Sequence, residues 1–212
     1  MDDVVAYMPI RLNSKRTPLK SVKQLGGRPL LCWSLEQLDA LGFPVYVYCS
    51  EPAAVQCHVD FKATNVRFIR RPKELDADSV IGIDIYREFS RAVPAETYLL
   101  AHCTSPFVST DTYSRVVNAV VSEGYDSSCT AYEVKMFCWY ADKPINFVTP
   151  RPRTQDLLPV CVETSAAYCY RAEVLERGAR SGEKHKLIST DRRESLDIDY
   201  PEDFEEAERF VR

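Results

Sequence analysis

Apolar residues in this chain fall into short, nearly continuous runs separated by longer segments with helical spacing. Residues 4–10, 45–49, 66–70, 97–101, 127–134 and 160–170 form the runs, the pattern of strands covered on both faces. Between them, Leu31, Leu35 and Leu38 predict a helix over 29–40. Ile81, Ile85 and Phe89 predict one over 80–93, and Tyr113, Val116, Val117 and Val120 one over 110–122. Each set lies on one helix face. Pro29 suits a first helical position, and Ser109 or Thr110 offers an N-cap. Shorter helices are expected over 53–59 and 172–180 and a short last strand over 196–198. A terminal helix over 201–211 should turn Phe204, Ala207 and Val211 inward. Residues 136–159 carry Trp139, Pro144, Pro150 and Pro152 without a helical period. They read as a protruding hairpin or arm, or as a long loop.

Strand and helix alternate, so the expected class is α/β. The sheet should be mostly parallel with helices on both faces, in one domain covering residues 1–212. Such sheets bind ligands beyond the carboxyl ends of their strands. The loops at 11–27, 71–79 and 102–109 should therefore converge.

Composition narrows the function classes. Hydrophobic residues are 45% and charged residues 27%, with a formal charge of -4, which argues against a nucleic-acid partner held by bulk charge. The first residues lack a basic-then-apolar signal, and no apolar run approaches the roughly 18 residues of a membrane span. The expectation is a cytoplasmic protein with no membrane partner. There are 8 cysteines. They show no C-x-x-C spacing, so they read as reduced core fillers and not as a metal or disulfide framework.

Against this acidic background, residues 4–35 carry Arg11, Lys15, Arg16, Lys20, Lys23 and Arg28 and no acidic residue. Fixed cations in a turn-rich loop with Asn13, Ser14 and Pro18 suit a phosphate. The loop is neither a Walker loop nor G-x-G-x-x-G, and a solvated basic loop is the plain alternative. Asp197-Ile198-Asp199 would, on a strand, place two carboxylates on one face about 7 Å apart. They suit a hard divalent cation such as magnesium, or are merely solvent-facing acids. His102, after the 97–101 run, could donate to a substrate or act as a base, or be structural. The segment Arg151-Pro152-Arg153-Thr154-Gln155-Asp156 offers guanidinium and amide groups, or is an exposed polar loop.

Taken in order, these motifs resemble the acylneuraminate cytidylyltransferase family, which includes the enzymes that activate 3-deoxy-octulosonate. The opening I-P-A-R-x-x-S-K-R-x-P-x-K-N stands here as Met8-Pro9-Ile10-Arg11-Leu12-Asn13-Ser14-Lys15-Arg16-Thr17-Pro18-Leu19-Lys20-Ser21. R-P-x-x-L-A-x-D matches Arg71 through Asp78, and Q-P-T-S-P matches His102-Cys103-Thr104-Ser105-Pro106. R-x-Q-D matches Arg153 through Asp156, N-G-a-i-Y falls on Thr164-Ser165-Ala166-Ala167-Tyr168, and the closing D-I-D is Asp197-Ile198-Asp199.

The resemblance implies a Rossmann-like nucleotidyltransferase fold and a homodimer whose arm, residues 136–159, reaches the partner's site. It implies transfer of CMP from CTP to an acidic 2-keto sugar with release of pyrophosphate, aided by Mg²⁺. Arg11, Lys15, Lys20 and Asp199 would be catalytic. Arg11, Asn13, Ser14, Lys15, Lys20, Arg71 and Gly82 would hold the nucleotide. His102, Thr104, Arg153, Gln155, Thr164 and Ser165 would meet the acceptor, and Asp197 and Asp199 the metal. The chain departs from the pattern at Ser21, at Gly82 (a serine position) and at His102 (a glutamine position). It departs also at Val162 (an arginine position in sialate enzymes) and at Thr164-Ser165. The acceptor-side departures leave open a different small acceptor, such as a phosphonate or a phosphorylated metabolite. A non-catalytic nucleotide-binding module is the alternative from another class.

Overall fold

A computed structural model describes residues 3–13 and 17–211. In chain order its elements are β1 (Val4–Pro9), β2 (Gln24–Leu25), β3 (Arg28–Pro29), α1 (Leu30–Asp39), β4 (Val45–Cys49), α2 (Pro52–Gln56), β5 (Val66–Arg70), α3 (Gly82–Ala92), β6 (Thr97–Ala101), α4 (Thr110–Val121), β7 (Ser127–Val134), β8 (Trp139–Tyr140), β9 (Lys143–Pro144), β10 (Val160–Arg171), α5 (Ala172–Glu176), β11 (His185–Thr190) and α6 (Pro201–Val211).

The main sheet has 7 strands in the order β11-β7-β10-β6-β1-β4-β5. β1 runs parallel to β4 and β6, β4 to β5, and β11 to β7. β10 alone runs antiparallel to its neighbours β6 and β7. The expected mostly parallel sheet is present.

Strand alternation divides the core into two layers. Ala6, Met8, Val45, Val47, Leu99 and Ala101 pack with Leu31, Leu35 and Leu38 of α1 and Tyr113, Val116 and Val120 of α4. Val5, Tyr7, Tyr48, Tyr98 and Leu100 face the other way, onto Ile85, Tyr86 and Phe89 of α3 and Val174 and Leu175 of α5. That second layer is aromatic: Tyr7 stacks on Phe89 at 4.2 Å between ring centroids. Each side chain of this size, fully buried, stabilises the fold by about 1.5–3 kcal/mol. A third cluster joins Leu25, Leu30, Phe107 and Ile198 to Phe204 and Ala207 of α6. The expected N-cap of α4 is Ser109, whose hydroxyl accepts from Thr112 N at 3.2 Å.

Several expected elements differ. Residues 196–198 form no strand, although Ile198 is fully buried and its N–H donates to Thr104 O at 2.8 Å. The last strand is instead β11, which the sequence pattern passed over. It is an edge strand with alternating exposure and little apolar content, so its pairing with β7 creates it and not a hydrophobic run. Pro29 does not begin α1. It pairs with Gln24 across a turn at Gly26 and Gly27, whose φ values of 58° and 78° favour glycine. α2, α3 and α5 are shorter than the spans 53–59, 80–93 and 172–180. Residues 136–159 contain the short hairpin β8–β9, with Phe137, Trp139 and Phe147 grouped around the Arg151 guanidinium. Among the described residues no helix is long and apolar enough to cross a membrane.

Candidate active site

The loops that leave the carboxyl ends of β1, β5 and β6 do converge. Arg11, just past β1, donates through Nη2 to Asp76 O at 2.5 Å and Ala77 O at 2.8 Å. Arg71, just past β5, is 1% exposed and turns back under this loop. Its Nη2 donates to Ile10 O at 3.0 Å and pairs with Asp76 Oδ1 at 2.5 Å. Burial disfavours the Asp76 carboxylate. Hydrogen bonds from Ser50 and Arg71, with the charges of Arg71 and Arg11, outweigh that and hold its pKa below the usual value. Arg71 is thus a strut that joins two loops.

Lys20 lies in a 3-10 turn, Lys20–Val22, and is 8% exposed. Its Nζ donates to Ile198 O and to Asp199 Oδ1, both at 2.9 Å. The Thr17 hydroxyl reaches Asp199 O at 3.5 Å. The opening basic loop and the D-I-D segment, far apart in sequence, are therefore one structure. Ile198 is buried between the two acids, and the Asp199 carboxyl meets this loop without a strand. Asp197 Oδ1, Arg11 Nε, Arg71 Nε and Ser105 Oγ are buried with no hydrogen-bond partner among the described residues. Native interiors rarely leave such atoms unmet, so these four mark the site as built of polar groups that the fold itself does not satisfy.

His102 follows β6. Its Nδ1 donates to Ser165 O at 2.5 Å, which sets the tautomer and leaves Nε2 to accept from the Tyr86 hydroxyl at 3.4 Å. Burial holds its pKa below the usual imidazole value, against the Ser165 hydrogen bond. Burial thus favours the neutral imidazole. Ser165 sits at the β10 irregularity with φ 58°. Gly82 opens α3, and a Cβ there would come within 2.8 Å of the Tyr86 hydroxyl. The missing side chain at 82 makes room for Tyr86.

Other expected residues are placed differently. Thr164 turns into the sheet, its hydroxyl 2.7 Å from Thr130 Oγ1. Arg153 and Gln155 are exposed, and Arg153 pairs with Asp156 at 2.9 Å. Asn13 is exposed at the loop mouth, while Thr104 lends its carbonyl to Ile198. Ser14 and Lys15 lie outside the described residues. All eight cysteines are free thiols. Cys129 lies 3.2 Å from His185 Nε2, but burial pushes its thiol up to about 12, so it is no thiolate nucleophile.

Sequence reasoning missed Tyr86 and Arg180. Tyr86 hid beside the apolar stripe of α3. Arg180 lies in a turn-rich segment, Arg177-Gly178-Ala179-Arg180-Ser181-Gly182, that has no motif.

A protein-family model described as cytidylyltransferase matches residues 5–211. The chain belongs to the cytidylyltransferase family. It is 27% identical over 220 residues to N-acylneuraminate cytidylyltransferase A of Danio rerio, and 27% identical over 220 residues to N-acylneuraminate cytidylyltransferase of Oncorhynchus mykiss. The alignments cover 98% of this chain and 50% of each relative, so the chain spans about half the length of the curated relatives it matches. Two solved structures share its fold. One is a CMP:2-keto-3-deoxy-manno-octonic acid synthetase complexed with CTP, at TM-score 0.69 and 16% identity over 99% of this chain and 98% of that one. The other is a 4-diphosphocytidyl-2C-methyl-D-erythritol synthase from Anaerococcus prevotii, at TM-score 0.71 and 14% identity over 99% and 96%.

Proposed function

We propose that this cytidylyltransferase-family chain transfers CMP from CTP to an acidic 2-keto sugar of the sialic or nonulosonic type, releasing pyrophosphate. The observation that carries this reading is the junction of Lys20 with Asp199, two residues from Asp197, whose buried Oδ1 has no hydrogen-bond partner among the described residues. It gives a cation and two carboxylates at the end of the sheet where a triphosphate would lie. The sialic-type acceptor is supported by the names of the curated relatives.

The donor set fits magnesium. Among the described residues no group of three or more His, Cys, Asp or Glu side chains could hold a metal. Magnesium commonly takes only one or two carboxylates, with water and substrate phosphates completing its shell. Asp197 and Asp199 would supply them, and the bound ion would neutralise phosphate charge. Lys20, with one of its three ammonium donors beyond those given to Ile198 and Asp199, would hold a phosphate oxygen. Arg11 would do so through the guanidinium edge that Asp76 and Ala77 do not occupy. The acceptor oxygen attacks the α-phosphorus and pyrophosphate leaves. What the chain supplies is in-line placement and fixed positive charge, not a covalent nucleophile.

Residues 136–159 would serve as the arm of a homodimer. Residues 136–159 expose Met136, Trp139, Tyr140, Ile145, Val148 and Leu158, and a patch of this kind suits a second copy of the chain. A second reading keeps the reaction and changes the acceptor, to a phosphonate or phosphorylated metabolite. It is favoured by Thr164, which is turned away into the sheet, and by Val162, which is uncharged. Pyrophosphate release from CTP across a panel of nonulosonic acids, phosphonates and sugar phosphates separates the two. Release with a nonulosonic acid supports the first; release with phosphonates alone supports the second.

A further inference from the structure

Arg180 lies on the connection from α5 to β11. Its guanidinium sits over the Tyr168 ring at 4.1 Å and near the Tyr86 ring at 6.0 Å. Tyr168 is fully buried and Tyr86 is 7% exposed, whereas the Arg180 side chain keeps 34% of its surface in solvent. A guanidinium stacked on a ring uses its face and leaves its N–H edge for acceptors in the plane. The carboxylate it pairs with is Glu163, 3.9 Å away, which is beyond hydrogen-bond reach. The Glu163 Oε1 atom already accepts from the Tyr168 hydroxyl. The cation is thus largely removed from solvent, packed on an aromatic ring and weakly neutralised.

Its position joins it to the candidate site. The Tyr86 ring that Arg180 approaches carries the hydroxyl that meets His102 Nε2 at 3.4 Å. Thr104, two residues past His102, lends its carbonyl to Ile198, whose own carbonyl accepts from Lys20. His102 therefore connects the surroundings of Arg180 with the Lys20–Asp199 junction.

We propose that Arg180 binds the anionic group of the acceptor, with Tyr168 and Tyr86 holding its guanidinium edge toward the site. This rests on the transfer reading above, and it extends it by naming the residue that selects an acidic acceptor. A carboxylate and a phosphonate share the chemistry Arg180 would recognise, through paired charge-assisted hydrogen bonds. Arg180→Met removes the charge and the donors; Arg180→Lys keeps the charge and loses the planar fork.

The test is isothermal titration of wild type, Arg180→Met and Arg180→Lys with N-acetylneuraminate, its methyl ester, 2-hydroxyethylphosphonate and CTP. In Arg180→Met, at least one of the two acids should bind about tenfold or more weakly, with Arg180→Lys in between. The methyl ester should bind wild type and variants alike, and CTP affinity should stay within about twofold. The acid that responds identifies the anion. The assignment is overturned if neither acid binds wild type, if acid binding is unchanged in Arg180→Met, or if acid and CTP affinity fall together. Should Arg180→Met not fold, Arg180→Lys decides alone by the same comparison. Absence of pyrophosphate release with every acid, while the titrations behave as expected, would defeat the transfer reading and leave the Arg180 assignment standing.

Discussion

Lys20 Nζ lies 2.9 Å from Asp199 Oδ1, so the basic loop after the first strand is tied to the acidic segment before the last helix. The lysine side chain is 10% exposed and the aspartate 33%. Lys20→Met should cost about 1–3 kcal/mol in urea unfolding, because Ile198 O and Asp199 each lose a hydrogen bond. CMP transfer should fall further, by about 100-fold or more, since the fixed charge acts on the transition state. Turnover reduced only in proportion to the unfolded fraction would give Lys20 a purely structural role.

Arg71 and Asp76 give a second prediction. Arg71 is buried, and losing it strands Asp76 and Ile10 O. Arg71→Met should therefore destabilise by about 3–5 kcal/mol at neutral pH. The folded pKa of Asp76 lies below the ordinary carboxyl value of 3.8. Its contribution is fully present above that value and disappears as pH falls through the lower folded pKa. Asp76→Asn should flatten the acid limb of stability below pH 3.8, and an unchanged limb would show that the pair does not matter to folding.

Histidine sets a different window. The pKa values of His102 and His185 both lie below the ordinary imidazole value of 6.5 because burial disfavours the charged ring. The unfolded chain binds protons first, so their contribution is intact above pH 6.5 and declines as pH falls below it. His102→Gln should remove part of that decline in unfolding curves below pH 6.5. A slope identical to wild type would mean that the ring is not held neutral.

The arm offers a test of assembly. Tyr140 is 78% exposed and Leu158 77%. If residues 136–159 dock on a second copy, the double variant Tyr140→Glu, Leu158→Glu should sediment as a monomer where wild type sediments as a dimer. Wild type sedimenting as a monomer would remove the homodimer from the account.

Much of this was legible before any coordinates. Buried parallel strands read as apolar runs, so β1, β4 and β6 were plain, and with them the end of the sheet where the loops meet. Lys20 and the two aspartates stood out because charge clusters are visible locally. Their pairing was not, because it depends on Ile198 being buried between distant loops. β11 escaped because an edge strand need not be apolar. The motif marks Arg71 as a nucleotide residue, and its burial and its bonds to Ile10 O and Asp76, which depend on distant loops, are not legible from that motif. Arg180 escaped because what makes it notable, two aromatic rings and a distant carboxylate, comes from β10 and α3 and not from its own neighbours in the chain.

Asp197 tests the central claim most directly. Its Oδ1 is buried without a hydrogen-bond partner among the described residues, so folding gains nothing visible from that atom. The measurement is magnesium-dependent pyrophosphate release from CTP and N-acetylneuraminate by Asp197→Asn, alongside its urea unfolding curve. The account predicts stability within about 0.5 kcal/mol of wild type or higher. It predicts turnover lower by about 100-fold or more. Wild-type turnover in a normally folded Asp197→Asn would contradict it.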